Sequence, residues 1–267
     1  MFKKYWKFFV IFWSVVLVGI IGVFVFFWLI SAGKLGFMPT FEELENPNNR
    51  FASEVYFADG PIMNRYFEKE NRKYIEYREI PQSVIDALIA TEDVRFYDHS
   101  GVDVRGLFRV AKGLLTANTS AGGGSTISQQ LAKMLFPRES DLNVFELAIR
   151  KFREWVIAVR LEKSYTKEEI LTMYLNKYDF LNLAVGISSA ADIYFQVPLD
   201  SLKVEQAAML IGMAKNSSYY NPVRRPELTL NRRNVVLSQM YKYDKITREE
   251  CDSLKKLPLG LNFKRVD

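Results

Sequence analysis

The chain has 267 residues, 49% of them hydrophobic and 14% aromatic, which is enough for one large domain and an appendage. Its single cysteine, Cys251, excludes an internal disulfide, and its single histidine leaves no ligand set for a structural zinc site. The formal net charge is +5, of which the first 33 residues contribute +3 through three lysines, so residues 34–267 carry only +2. This near balance argues against a nucleic-acid-binding domain.

The N-terminal segment predicts a membrane anchor. Residues 8–30 form a run of 23 positions without a charged side chain, long enough as a helix to cross a hydrocarbon core of about 30 Å. Lys3, Lys4 and Lys7 precede this run, which places the N-terminus in the cytoplasm and the rest of the chain outside. A cleaved signal peptide is the alternative, but its apolar stretch is usually only about 7–15 residues long. We therefore predict a cytoplasmic tail and a single-pass anchor over residues 1–33.

The rest of the chain predicts a mainly α-helical domain with a small β element in front of it. Residues 34–80 hold a linker and a hairpin, in which Asp59-Gly60 stands between two alternating apolar runs. From Pro81 the apolar residues recur with a helical period. The predicted helices cover residues 81–92, 102–116, 126–136, 143–163, 167–176, 183–194, 203–214, 226–241 and 247–256. Residues 257–267 complete no element, and we interpret them as the start of a linker to a further domain.

The stretch at 90–103 gathers charged side chains around Phe96 at unusual density. Glu92 and Asp93 follow an apolar helix, at the end where the helix dipole prefers cations. A local rule broken in this way is typical of a functional site, and a carboxylate placed here can act as a general base. The alternative is that the two acids only form ion pairs with Arg95 or with lysines. For His99, catalysis and a turn-stabilising hydrogen bond are both open.

A second candidate site follows at 121–136, where three glycines lead into a helix. Thr126 and Gln129 have the spacing of a capping box at its start. Thr126, Gln129, Gln130 and Lys133 fall on one polar stripe, opposite an apolar one. A glycine loop at a helix N-terminus binds anions, which predicts a phosphate site. An ordinary solvated helix face is the alternative.

The third candidate is the helix over 149–163. Phe152, Trp155, Val156 and Val159 predict a stripe that faces the core. Arg150, Lys151 and Glu154 lie where this helix would open into a cleft. The alternative is an exposed ion pair between Arg150 and Glu154, which are four residues apart, worth only a few tenths of a kcal/mol. Two carboxylates beside several cations point to acid–base chemistry at a glycosidic bond whose leaving group is a phosphate.

Five segments in order resemble the signature blocks of a known family. They are EDVRFYDHSG, GGSTISQQLAK, RKFRE, EEILTMYLN and RRNVVL. Together, over roughly residues 52–255, they resemble the peptidoglycan glycosyltransferases of family 51, which are the polymerase modules of class A (bifunctional) penicillin-binding proteins. The resemblance implies a lysozyme-like, two-lobed, mainly helical fold for a glycosyltransferase domain at 81–256. It also implies that the linker at 257–267 leads to a transpeptidase domain.

The resemblance implies an inverting enzyme that polymerises lipid II into glycan strands with release of undecaprenyl pyrophosphate. Glu92 matches the general base, and Glu154 matches a residue that acts at the donor pyrophosphate, directly or through a divalent cation, Mg or Mn. No organic cofactor is implied. The matching substrate-binding positions are Asp93, Phe96, His99, Ser125, Thr126, Gln129, Gln130, Lys133, Arg150 and Lys151. The implied partners are lipid II, the growing lipid-linked strand, the bacterial inner membrane and other cell-wall synthesis proteins, with no nucleic acid.

Two segments qualify this interpretation. The amphipathic stretch at 105–118 faces either the membrane or the core. After the fourth block, Leu181 and Leu183 stand where the family commonly has glycine, and leucine disfavours positive φ. We therefore expect the loop at 178–185 to be reshaped and assign no binding residue to it. Two other functions are open: a lysozyme-like glycan hydrolase or lytic enzyme, and an inactive membrane scaffold of cell-wall synthesis.

Overall fold

The structure, a computed structural model, describes residues 2–36, 38–39, 53–56, 62–66, 71–116, 123–135 and 143–264. Within these ranges the α-helices are α1 Phe2–Ser31, α2 Gln82–Glu92, α3 Val104–Leu115, α4 Ile127–Leu135, α5 Val144–Ser164, α6 Lys167–Lys177, α7 Ile187–Phe195, α8 Val204–Met213, α9 Pro226–Lys242 and α10 Arg248–Lys256. The strands are β1 Ser53–Tyr56, β2 Ile62–Tyr66, β3 Asn71–Arg72 and β4 Ala184–Val185. Short 3-10 helices cover Tyr77–Glu79, Phe96–Asp98 and Leu199–Ser201.

The predicted mainly α-helical class with a short β element is confirmed. Each helix expected after Pro81 has a counterpart, with ends within about two residues in most cases. The largest difference is at α7, which begins at Ile187 instead of 183 because a tight turn and β4 come first. The predicted hairpin strands pair antiparallel, with Ser53 opposite Tyr66. Its expected turn at Asp59-Gly60 lies outside the described residues. The pairing of β3 with β4 is parallel and only two residues long, too short for a sequence pattern to indicate.

The core is built around α8, which is buried on all sides from Ala207 to Met213. A short helix that is apolar all round is suited to such a position. Both α2 and α9 pack against α8 and against each other. The C-terminal end of α2, where Glu92 lies, is thereby held beside the middle of α9. A second group of packed helices is formed by α4 with α5 and α6.

Helix α1 contacts the domain through α5. The rings of Phe26 and Phe27 meet Phe152 edge to face, with centroids 5.4 and 5.7 Å apart. Arg160 of α5 donates to the backbone oxygen of Ser31 at 2.8 Å. The prediction that Phe152 belongs to a core-facing stripe is therefore wrong. The buried face of α5 carries Ile157, Ala158 and Leu161, whereas Phe152 meets α1.

The loop before β4 has an unusual backbone. Leu181, Asn182 and Leu183 all lie in the left-handed region, with φ of 65°, 52° and 65°. The expectation that leucine would avoid this conformation is wrong, although each such residue costs roughly 1–2 kcal/mol. Hydrogen bonds hold the turn: the Leu181 N–H donates to Asp179 Oδ1 at 2.7 Å, and the Ala184 N–H donates to the Leu181 carbonyl at 2.8 Å.

The C-terminal segment is fixed to the domain by a buried cation. The side chain of Arg233 on α9 is fully buried, and it donates to the carbonyls of Lys255, Leu257 and Pro258 at 3.2, 2.8 and 2.9 Å. These carbonyls lie at and beyond the C-terminal end of α10, where the helix dipole favours a positive charge. The start of the predicted linker is thus docked against α9.

Candidate active site

A cavity of about 420 Å³ opens at the C-terminal end of α2. Its walls are the last turn of α2, the glycine loop before α4, and one face of α9. On α9 the lining positions 232, 235, 239 and 242 have helical spacing and therefore share that face. The lining side chains with polar groups are Thr91, Glu92, Arg109, Ser125, Gln130, Lys215, Arg232, Gln239, Lys242 and Tyr243.

Glu92 lies in this wall with both carboxylate oxygens engaged. Arg232 Nη2 donates to Oε1 at 3.2 Å, and Gln130 Nε2 donates to Oε2 at 3.1 Å. The side chain of Glu92 is 14% exposed, so it is largely buried but reaches the cavity. The Arg232 guanidinium also supplies the cation that the C-terminal end of α2 favours. Each carboxylate oxygen has two acceptor positions, so each keeps one for a substrate hydroxyl.

The cavity carries an excess of positive charge. Arg109, Lys215, Arg232 and Lys242 line it, and Glu92 is the one carboxylate among the described lining residues. None of these four cations was among the predicted site residues. Arg232 was nevertheless present in the RRNVVL segment, whose first residue it is. Its pairing with a glutamate 140 positions away depends on the packing of α9 against α2.

Asp93 and His99 build the turn behind Glu92. The buried carboxylate of Asp93 accepts from the Ile127 N–H at 3.0 Å and from His99 Nε2 at 3.0 Å. The Gly101 N–H donates to Nδ1 of His99 at 3.2 Å, which assigns the ring hydrogen to Nε2. For His99 the structure therefore favours the turn-stabilising role over catalysis. The N-terminus of α4, predicted to bind a phosphate, is occupied by the carboxylate of Asp93.

Three more of the predicted binding residues are packed inside this turn. Phe96 is fully buried, with its ring beneath Lys167 Nζ at 4.3 Å. Thr126 Oγ1 donates to the Gly101 carbonyl at 2.7 Å and accepts from the Gln129 N–H at 3.2 Å. Half of the predicted capping box is thus present. The other half is replaced, because Gln129 Nε2 donates to the Gly101 carbonyl at 3.1 Å and does not return to the start of the helix.

Glu154 lies at the edge of the cavity and not in its wall. Lys151 Nζ donates to Glu154 Oε2 and to Ser125 Oγ, both at 2.9 Å. Ser125 lines the cavity, so the serine and the lysine connect Glu154 to the site of Glu92. The ion pair on α5 therefore joins residues three apart, Lys151 and Glu154. The i, i+4 pair of Arg150 with Glu154 was the one considered from the sequence.

Lys133 and Arg150 lie outside the described lining of the cavity. Lys133 is exposed on α4, and Arg150 is half-buried on α5. Of the twelve predicted residues, the structure places Glu92, Ser125 and Gln130 in the cavity wall, with Lys151 and Glu154 connected to its edge. The cationic lining was predicted, but other residues provide it.

A buried acid that the sequence interpretation missed supports the same turn. The side chain of Glu162 on α5 is only 4% exposed. Its carboxylate accepts from Ser128 Oγ at 2.5 Å and from Lys167 Nζ at 2.6 Å, and it lies 3.9 Å from Nδ1 of His99. Its spacing of eight from Glu154 put it on the same face of the helix, which was the available signal.

The residues that the structure describes do not form a metal site of their own. In the described parts of the chain no group of three or more His, Cys, Asp or Glu side chains could hold a metal ion. The carboxylate of Glu154, at the cavity edge, is already paired with an ammonium group. A divalent cation would therefore need most of its ligands from a substrate and from water.

The helical domain, with a carboxylate in a cation-lined cavity, belongs to the transglycosylase family. The family model described as "Transglycosylase" matches residues 59–241. The membership predicted from the five segments, in the glycosyltransferase module of class A penicillin-binding proteins, is thereby confirmed.

Among similar proteins are the penicillin-binding proteins 1A of Escherichia coli (strain K12) and Haemophilus influenzae. Both are 36% identical to this chain, over 226 and 235 residues, which cover 85% and 88% of it. The matches cover 26% of each relative, so the chain spans about a quarter of their length. The crystal structure of the Haemophilus influenzae protein at 2.6 Å aligns with a TM-score of 0.46 and 22% identity, over 81% of this chain and 22% of that chain.

Proposed function

We propose that this chain is a peptidoglycan glycosyltransferase that polymerises lipid II into glycan strands and releases undecaprenyl pyrophosphate. The observation that carries the proposal is a cavity whose lining holds one restrained carboxylate, Glu92, together with four cations. A base and a concentration of positive charge are what the transfer of a sugar from a diphosphate needs. Membership of the transglycosylase family supports the same reaction class.

In the proposed reaction Glu92 takes the proton of the acceptor sugar's 4-hydroxyl. The hydroxyl oxygen bonds to the anomeric carbon of the donor, and the bond from that carbon to the diphosphate breaks. The electron pair leaves with the diphosphate, and attack from the opposite face inverts the anomeric configuration. Arg232 and Gln130 orient the carboxylate before the reaction. The cavity cations then stabilise the negative charge that develops on the leaving group.

We place Glu154, with Lys151, at the donor diphosphate. Lys151 is positioned by Glu154 and Ser125 at the cavity edge, where its ammonium can contact a phosphate oxygen. A bound Mg²⁺ or Mn²⁺ would have Glu154 as its protein ligand and would neutralise diphosphate charge. The steps assigned above to Glu92, Arg232 and Gln130 do not depend on this proposed metal ion.

We further propose that the chain meets its substrate at a membrane surface. Residues Tyr5–Ser31 of α1 contain an 18-residue window with mean hydropathy 2.8, and this 27-residue stretch is long enough to span a bilayer. Lys3, Lys4 and Lys7 favour a cytoplasmic N-terminus. On α3, next to the cavity residue Arg109, the side chains of Val104 and Phe108 are 57% and 72% exposed. Such exposed apolar groups beside cations suit contact with lipid headgroups. Other cell-wall synthesis proteins are proposed as partners from family membership alone.

The decisive experiment is to incubate the purified chain in detergent with labelled lipid II. We expect a ladder of long glycan strands and free undecaprenyl pyrophosphate. Digestion of finished peptidoglycan without polymerisation would instead support the hydrolase alternative, and neither activity would support the scaffold alternative. Glu249→Gln, an exposed glutamate on α10, is the matched control and should polymerise like the unmodified chain.

A further inference from the structure

We propose that Tyr174 is a positioning residue for Glu92, acting through the side-chain amide of Gln130. This inference rests on the proposed function, because it takes Glu92 as the general base. Tyr174 belongs to the EEILTMYLN segment, for which the sequence interpretation assigned no site residue. Its hydroxyl does not touch the cavity. It contacts Gln130, and Gln130 in turn contacts the carboxylate of Glu92.

Three elements meet in this short chain of hydrogen bonds. The hydroxyl of Tyr174, on α6, donates to Oε1 of Gln130, on α4, at 3.0 Å. Nε2 of the same amide donates to Oε2 of Glu92, at the end of α2, at 3.1 Å. Tyr174 is 1% exposed, so this bond is protected from water. In both hydrogen bonds of this series a donor faces an acceptor.

The tyrosine hydroxyl determines which end of the amide faces the base. An amide group can be turned by 180°, which exchanges its oxygen and its NH₂. In the turned position Oε1 would oppose the carboxylate of Glu92, and the tyrosine hydrogen would lose its acceptor. A buried hydrogen-bonding group without a partner is costly, so the observed orientation is fixed. Burial, and then the nearby charge of Glu92, raise the pKa of Tyr174 well above its usual range, which keeps the hydroxyl a donor.

Glu92 is held by two hydrogen bonds, and both are needed to fix its orientation. Arg232 binds Oε1 and Gln130 binds Oε2, so the plane of the carboxylate is defined by two donors on opposite oxygens. With the amide free to turn, only Arg232 would restrain the group, and it could rotate about that bond. If the base is not aligned with the substrate hydroxyl whose proton it takes, the chemical step is slower while substrate binding is unaffected.

The experiment compares Tyr174→Phe with Tyr178→Phe in the lipid II assay. Loss of one hydrogen bond predicts a kcat about 3- to 10-fold lower for Tyr174→Phe, with KM unchanged. The acidic limb of its pH–rate profile should move to higher pH, because the ionised base has lost a donor. Tyr178 is the matched control: its ring stacks on Tyr174 at 5.9 Å, but its hydroxyl donates to the carbonyls of Met213 and Ala214. Tyr178→Phe should keep the pH profile of the unmodified chain.

A double-mutant cycle separates positioning from general packing. If Tyr174 acts only through Gln130, adding Tyr174→Phe to Gln130→Met should cause no further loss of kcat. Effects that multiply would overturn the inference, as would an unchanged kcat and pH profile in Tyr174→Phe. If the phenylalanine variant melts early, Tyr174→Met offers the same test with a more adaptable side chain. Glu92→Gln in the same assay keeps the two proposals apart. Its full activity would refute the base, whereas an inactive Glu92→Gln beside a normal Tyr174→Phe would refute only the positioning role.

Discussion

Glu92 and Glu154 are both acids near the same cavity, but the fold holds them in different ways. Glu92 ends a helix, faces the cavity and has one donor on each oxygen, from Arg232 and from Gln130. Glu154 lies within α5 and has its Oε2 bound to an ammonium three residues away. The donors to Glu92 come from distant parts of the chain, whereas the partner of Glu154 is local.

This difference indicates different tasks. A general base must present a fixed lone pair to one hydroxyl, which two donors on separate oxygens achieve. An acid paired with a lysine mainly places a positive charge, here beside Ser125 at the cavity edge. Glu92 is therefore expected to matter for proton transfer and Glu154 for the charge on the leaving group.

The largest expected effect is that of Glu92→Gln. The amide keeps the size of the side chain but cannot accept a proton, so we expect the polymerisation rate to fall by about 10²–10⁴-fold. Strand formation from lipid II is the measurement, and the thermal melting curve should show that the variant folds. A rate close to that of the unmodified chain would mean that Glu92 is not the base.

Glu154→Gln should come next, with a rate loss of about 10- to 100-fold. The reason is the loss of a charge-assisted hydrogen bond that positions Lys151, worth about 1.5–3 kcal/mol. The response to Mg²⁺ should also change, since this carboxylate is the proposed protein ligand. An unchanged rate and an unchanged metal titration would mean that Glu154 has no role in the mechanism, and the division of tasks between Glu92 and Glu154 would be wrong.

Arg232→Met should lower kcat by about 10-fold, because one of the two restraints on Glu92 is lost. It should also raise KM for lipid II, since the cavity loses one of four cations. The double effect separates this variant from Tyr174→Phe, for which only kcat is expected to change. A normal kcat with a raised KM would assign Arg232 to substrate binding alone.

The sequence predicted the elements of this fold better than their contacts. Helix limits depend on local periodicity and capping, so even α5 and α9 were predicted to within about a residue at each end. The Arg232–Glu92 pair depends on how α9 packs on α2, which periodicity does not specify. Phe152 shows the same limit: its stripe was apolar as predicted, but the partner is α1 and not the core.

The prediction from backbone propensity is wrong at Leu181 and Leu183, where hydrogen bonds offset the cost of positive φ. Leucine is a poor residue for positive φ, yet Leu181 and Leu183 both adopt it. The turn is stabilised by the Asp179 carboxylate and by Tyr194, whose hydroxyl donates to the Phe180 carbonyl at 2.6 Å. Tyr194 lies on the following helix, so this support depends on tertiary structure that a local rule does not include.

The smallest effect concerns stability of the turn that carries Glu92. Asp103 accepts from Arg95 Nη2 at 2.5 Å and, as the N-cap of α3, from the Gly106 N–H at 2.9 Å. Burial alone would raise the pKa of Asp103, but these two hydrogen bonds outweigh it and lower the pKa. Asp103→Asn keeps a good N-cap and removes the ion pair, so we expect a loss of about 1 kcal/mol at pH 7.

The pH dependence of that loss follows from the lowered pKa. A carboxylate with a lower pKa in the folded state contributes its full stability above its unfolded pKa of about 3.9. That contribution is lost as the pH falls through the folded pKa. The melting temperatures of the unmodified chain and Asp103→Asn should therefore differ at pH 7 and converge below about pH 4. A difference that stays constant across this range would mean that the cap, and not the Arg95 pair, stabilises the turn beneath Glu92.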